Sequence, residues 1–540
     1  MTLMKQTIIV VSTALCLFMW GCSNDSDDDS SEADPSKLVL GLEESYLKHY
    51  SGDGDGGLAH ITYWDMTQVS EEYQNLEPEE QAKVGKIQAS RQHSRLFQPA
   101  QVVAGYEATG ILIKEEREQR VSLKVPDNWN GYLIVAGTSG LGNEHGNEAI
   151  LVPWLLAEGY AYVAGDKGLI NGSSDMLSGR HPTQYWGIMM SDLAKWAKER
   201  IREAKGAEVT RIYAMGLSNG GYQTRRALEI DHESVAAGNE RIFDGGIDWS
   251  GTYWADERVL DADNDGQVSV AEYGTATDTL VNHVDRATLT MGWAYSPDTL
   301  STPDEFAKTP RFPDAHEDMG EAGYSAESAV YWGYYNTYYD SYKTALPTYQ
   351  GIGFYNLVSY IYRAELLGHD PEESQAYSCY FDPENPDAEP PLYSWLANSD
   401  DRGWTEESIQ WALENANTGE FSAPLITVAG EADALLGYYA QAVPYKNAVE
   451  QYGNPDLYRQ YVIENAGHVD ANADGTGDFD FDGEFGEEGM ADRLTPMQAY
   501  VQRAFRYLTD WVESGNAPPD SKIIVTDPAD DVTDPDRLSF

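Results

Sequence analysis

Apolar and polar positions alternate in RVSLKVP (120–126), which predicts a half-buried strand, and YLIVAG (132–137) is an unbroken apolar run of the kind buried on both faces of a parallel sheet. YAYVAGD (160–166), RIYAMG (211–216) and PLITVAG (424–430) repeat that character. Between them the spacing turns helical: LVPWLLAEG (151–159) is followed by WGIMMSDLAKWAKERIREAKG (186–206), an amphipathic helix closed by Gly206. Strands alternating with helices predict an α/β architecture with a mostly parallel sheet and right-handed crossovers.

The alternation stops after Gly251 and resumes at Pro424. A chain of 540 residues exceeds what one hydrophobic core holds, about 250 to 300 residues, so a large insertion is expected. We divide the chain into a core in two parts, 37–252 and 416–517, around an insertion over 253–415. The insertion is dense in Tyr and Trp, as in YWGYYNTYYDSYKTALPTYQ (331–350), and its position makes it a lid. Most of those rings should form its own small core, and some should face the substrate. The tail over 518–540 contains DPADDVTDPD and is expected to be a disordered acidic end.

Lys5, an apolar run from Thr7 to Trp20, and Gly21-Cys22 make up 1–22, which resembles a bacterial lipoprotein signal peptide, with Met19 and Trp20 departing from the usual small residues. An acidic tether (23–36) follows. Export with a lipid anchor at Cys22 is the expectation, Ser23 favouring the outer membrane, and plain secretion is the alternative. Cys379 is then the one cysteine left, which excludes disulfide, zinc-thiolate and thiol chemistry. A net charge of -53 excludes nucleic acid as a partner.

GLSNGG (216–221) contains G-x-S-x-G between a strand and a helix, the setting of a nucleophile elbow with Ser218 at its tip. A serine needs a base, and the base a carboxylate that sets its tautomer. Both follow later strands: NAGHVD presents His468, and AGEAD presents Glu431 and Asp433, of which Asp433 is preferred because GEAD resembles the G-x-x-D of hydrolases. An oxyanion hole needs two backbone N–H groups, expected from Asn219 and from Thr138 or Ser139 in the loop TSGLGNE.

VPDNWNGYLIVAGTSG, AEGYAYVAGDKG, GLSNGG, PLITVAGEADALL, NAGHVD and AYVQRAFRYLTDWVESGNAPP together resemble the α/β-hydrolase group of tannases, feruloyl esterases and D-3-hydroxybutyrate oligomer hydrolases. The resemblance implies the α/β-hydrolase fold with a lid, and a serine esterase working through an acyl-enzyme without an organic cofactor. Tannases place disulfide-forming cysteines beside the serine and the histidine, where this chain has Leu217 and Val469. That departure favours polyester oligomers over aryl esters as the substrate. A calcium-dependent surface binding protein on an inactive scaffold is the reading from another class.

Calcium is expected from DADNDGQVSVAE (261–272), whose Asp261, Asp263, Asp265, Gln267 (through its carbonyl) and Glu272 stand at ligating places of the twelve-residue loop. A second acidic loop right after His468 offers Asp470, Asn472, Asp474 and Asp478 but lacks the closing Glu. An ion there would steady the histidine loop.

Overall fold

The computed structural model describes residues 33–52, 57–59, 102–170, 185–261, 413–468, 495–527 and 534–540, apart from positions 116, 141, 432, 434, 435, 439 and 440. Ten strands form one sheet: β1 (Leu42–Tyr50), β2 (Gly105–Lys114), β3 (Arg117–Pro126), β4 (Tyr132–Gly137), β5 (Ala161–Gly165), β6 (Arg211–Leu217), β7 (Gly245–Trp249), β8 (Leu425–Gly430), β9 (Tyr458–Ile463) and β10 (Lys522–Ile524). Their order is β1-β2-β3-β5-β4-β6-β7-β8-β9-β10. The pairs β1/β2, β2/β3 and β3/β5 are antiparallel, and from β5 to β10 every pair is parallel.

This order reverses at β4. The chain steps outward from β4 to β5, then returns across β4 to β6 and continues the other way. At such a switch point the loops leaving two neighbouring strands diverge, and a crevice opens beyond their C-terminal ends. The loops after β4 and β6 therefore stand where a ligand has room.

Helices cover both faces. Along β4, Ile134 and Ala136 belong to one core, with Leu155 of α1 (Glu148–Ala157) and Phe505 of α5 (Gln498–Ser514). Leu133 and Val135 belong to the other, with Met190 of α2 (Trp186–Lys205), Ala227 of α3 (Asn219–Ala236) and Tyr445 of α4 (Ala442–Tyr452). The period-two alternation of a strand thus fills two cores at once, which is why YLIVAG has no polar position. Helix α2 stops at Gly206, whose φ of 64° lets its N–H turn back to Arg202 O.

Three boundaries differ from the expectation. Tyr253 and Trp254 are buried in the core, Trp254 stacks on Tyr222 at 4.4 Å between centroids, and Ala255 bridges to Asn417, so the core continues past 252. The tail over 518–540 is not simply a disordered end: β10 adds a parallel strand beside β9, and Phe540 is buried against Tyr461, Tyr500 and Tyr507. The apolar Ile524 and Phe540 outweigh the acidic positions around them. At the other end, the expected tether closes into a 3-10 turn at Pro35–Val39, capped by Asp34. Residues 262–412, most of the insertion expected to form a lid over 253–415, lie outside the described residues.

Candidate active site

Strand β6 runs straight into Ser218, whose φ of 61° and ψ of -123° turn the chain into α3. That backbone conformation costs a non-glycine residue roughly 1–3 kcal/mol and survives only where the surroundings impose it. Here Ser218 N donates to Trp249 O at 2.9 Å, and Ser218 O accepts from Gly221 N at 2.8 Å. Close packing imposes the turn as well: a Cβ on Gly216 would lie 2.1 Å from Gly220 O, and one on Gly220 would lie 1.9 Å from Gly137 O. Only glycines allow β4, β6 and the start of α3 to approach this closely. Ser218 keeps 8% of its surface exposed at the end of the strand.

Two loops further along the same edge carry the base and the acid. His468 Nδ1 pairs with Asp433 Oδ2 at 2.7 Å, and the other carboxylate oxygen accepts from Leu436 N at 2.8 Å. Asp433 is fully buried and His468 nearly so. Gly430 makes the meeting possible, since a Cβ there would strike Ala466 O at 2.3 Å and Gly467 O at 2.4 Å, the backbone just before the histidine. Glu431 N instead extends the ladder to Ile463 O. Of the two acids in AGEAD, Asp433 is thus the one on the histidine.

Across the switch point, the loop after β4 is held from two sides. The Asn147 side chain donates through Nδ2 to Gly137 O at 2.5 Å and accepts from Ser139 N at 3.1 Å. Lys167, buried and in a left-handed turn with φ of 62°, points its ammonium at three successive carbonyls: Thr138 O at 2.9 Å, Ser139 O at 3.3 Å and Gly140 O at 2.8 Å. Asn219 Nδ2 also donates to Gly140 O at 3.3 Å, tying the loop to the turn at Ser218. Sequence reasoning did not find Asn147 or Lys167. For Lys167 the available signal was the charged pair Asp166-Lys167 directly after the apolar strand AYVAG.

Residues 322–538 match the family model described as an alpha/beta hydrolase domain. With the sheet order and the strand-elbow-helix at Ser218, that decides the architecture. The fold is that of an α/β-hydrolase. Among solved structures the chain is similar to feruloyl esterase B from Aspergillus oryzae (13% identity, 77% of this chain and 82% of that one, TM-score 0.42). It is also similar to tannin acyl hydrolase from Aspergillus niger (11%, 90% and 88%, 0.43). A third is a mutant of the rice cell wall degrading esterase LipA from Xanthomonas oryzae (15%, 76% and 92%, 0.38). No curated protein matches in sequence. At such distances the chemistry of this chain has to come from its own residues.

Charged groups behind the site brace it. Arg225 of α3 donates through Nε to Asp248 Oδ2 at 2.6 Å, Thr427 Oγ1 donates to the same oxygen at 2.7 Å, and both members of the ion pair are fully buried. The pair locks the helix that leaves Ser218 onto β7 and β8. Removing one partner strands a buried charge, so Asp248→Ala should cost about 3–5 kcal/mol, read as a fall in the denaturant midpoint. Glu107, His145 and Glu148 also converge in the manner of metal ligands, but Lys124 Nζ already occupies the cluster at 2.7 Å from Glu107 and 3.1 Å from Glu148. That site is a buried ion network with an internal cation.

Asp166, beside Lys167, is pushed up to about 7 by burial, with the nearby Glu144 charge adding to the shift. Its protonated form is favoured in the folded state, so the stability it contributes is present below its ordinary pKa of 3.8 and is lost as pH rises towards 7. Asp166→Asn should therefore flatten the decline in melting temperature between pH 4 and pH 7 relative to the parent. Parallel melting curves for the two proteins across that range would refute this.

Of the residues expected to bind calcium in the first acidic loop, Asp261 alone is among the described residues. A short helix, Glu257–Leu260, ends on it, and its N–H returns to Glu257 O at 2.7 Å. Asp263, Asp265, Gln267 and Glu272 lie outside the described residues, as do Asp470, Asn472, Asp474 and Asp478 of the second.

Proposed function

We propose that this chain is a serine esterase that hydrolyses carboxylic esters through an acyl-enzyme. The observation that carries the reading is the buried Asp433–His468 pair on the same sheet edge as a serine held in a strained elbow. With Nδ1 committed to Asp433, His468 has Nε2 left as the base. Ser218 Oγ attacks the ester carbonyl and its proton passes to Nε2. His468⁺ then protonates the leaving alcohol as the C–O bond breaks. Water, deprotonated by the same nitrogen, attacks the acyl-enzyme and releases the acid and Ser218.

The tetrahedral oxyanion would be met by Asn219 N–H, in the first turn of α3 where amides lack helical partners and the helix dipole is positive. Of the two loop candidates, Thr138 N–H is the better second donor, because Ser139 N–H is already given to Asn147. The Thr138 nitrogen also lies beside the elbow, 3.1 Å from where a Cβ on Gly220 would be.

For the substrate, we favour short hydroxyalkanoate-type oligomers, with aryl esters of the tannase or feruloyl kind second, because Leu217 and Val469 replace the cysteines of the tannase pattern. A panel of hydroxybutyrate oligomers, feruloyl esters and gallate esters separates the two. A fluorophosphonate probe tests the chemistry: labelling at Ser218 is expected, and folded protein that stays unlabelled would instead support a binding protein on an inactive scaffold. Export, a lipid anchor at Cys22 and an outer-membrane address fit ester substrates that reach the cell surface.

The hard oxygen ligands of 261–272 suit calcium in a structural role. An ion that binds only the folded chain stabilises it by about 2.7 kcal/mol at a hundredfold excess over its Kd. Chelation should lower the melting temperature, and Asp265→Ala should weaken that response. Identical melting curves in chelator and in millimolar calcium would remove the proposal.

A further inference from the structure

We infer that Asn147 and Lys167 form a two-sided clamp that aims the Thr138 N–H at the oxyanion, making both positioning residues of the reaction. The inference rests on the esterase reading above and extends it to residues outside the triad. A peptide unit is planar and trans, so its C=O and N–H point in opposite directions. Asn147 Nδ2 holds Gly137 O at 2.5 Å, and that carbonyl shares its peptide plane with Thr138 N–H. Fixing the one aims the other.

The next peptides could still flip and drag Thr138 with them. Lys167 prevents this by gathering the carbonyls of Thr138, Ser139 and Gly140 around one ammonium, while Asn147 Oδ1 holds Ser139 N–H on the opposite side. Four consecutive peptides, from Gly137 to Gly140, are therefore orientated before substrate arrives. Preorganised donors of this kind are worth more than mobile ones because nothing has to reorient as charge develops. The clamp itself is well supported. Asn147 is completely buried, and Lys167 lies over the Trp186 ring at 5.1 Å and is held in a left-handed turn.

The test uses Asn147→Leu and Lys167→Met in the full chain, each checked for folding by its melting curve, with hydrolysis of an activated ester and of its thionoester. Sulfur accepts hydrogen bonds poorly, so an aimed oxyanion hole gives a high oxygen-to-sulfur rate ratio and a misaimed one a low ratio. We expect kcat to fall about tenfold to a hundredfold in each variant, below the 10²–10³ for deleting a donor outright, with KM within about twofold. The oxygen-to-sulfur ratio should fall with kcat, and Lys167→Arg should restore part of both. If either folded variant keeps the parent kcat and ratio, the clamp is only structural and the inference is overturned, even if the other variant does not fold. Parent activity that survives Ser218→Ala would instead overturn the esterase reading, and this inference with it.

Discussion

Ser218→Ala should abolish ester hydrolysis while leaving a folded protein. Triad members act as a unit, and loss of the serine from a comparable site costs about 10⁶ in kcat, the remainder coming from the oxyanion hole and from binding. The fold should tolerate the change because what fixes residue 218 is its backbone. Its N–H stays on Trp249 O and its C=O on Gly221 N whatever the side chain. Alanine meets the same left-handed strain as serine at φ of 61°, so the cost of the elbow hardly changes. Steady-state hydrolysis and a melting curve on the same preparation check both halves. Retention of even a tenth of the parent activity would mean that another group does the attack.

The parts of this fold that were legible in the sequence are those whose pattern serves packing on both faces. YLIVAG and LITVAG are β4 and β8 to within a residue, because a strand covered by helices on both sides is a nearly continuous apolar run, interrupted here only by Thr427. Helix α2 was legible for a different reason: a stripe of apolar positions over five turns and a glycine that can adopt a positive φ. Ser218, Asp433 and His468 were findable because each stands just after a readable strand, so the strand pattern points to the residue.

Other elements had no such pattern. Strand β1 is mostly exposed along LEESYLKHY, and its pairing with β2 comes from an antiparallel neighbour more than fifty residues away. GGIDW of β7 is too short to show a period, and its Asp248 is buried only because Arg225 reaches it from α3. Asn147 and Lys167 were missed for a related reason. Their partners are backbone carbonyls and amides, which every sequence supplies and none displays. The choice between Thr138 and Ser139 was undecidable from residue types, and the preference for Thr138 rests on the bond from Ser139 N–H to Asn147 and on the nearness of Thr138 N to the elbow.

Asp433→Asn should lower kcat about 10⁴-fold, as the equivalent change does in a comparable triad, with little effect on stability. The reason lies in which atom of residue 433 faces which partner. Leu436 N–H donates to Oδ1, and asparagine can only accept that bond with its own oxygen. Its NH₂ group is then left facing His468 Nδ1 at the place now held by Oδ2. An NH₂ group donates, so Nδ1 must become the acceptor and the ring proton must move to Nε2. That is the nitrogen required to take the proton from Ser218. Both hydrogen bonds survive in the variant, which is why folding should not suffer, yet the imidazole is held in the tautomer that cannot act as a base. Alanine at the same place would not impose the tautomer, only lose the support. If the introduced amide turned over in its place and the variant kept near-parent activity, Leu436 would not be the group that orients the acid, and the assignment of Asp433 as the residue that sets the histidine tautomer would fail.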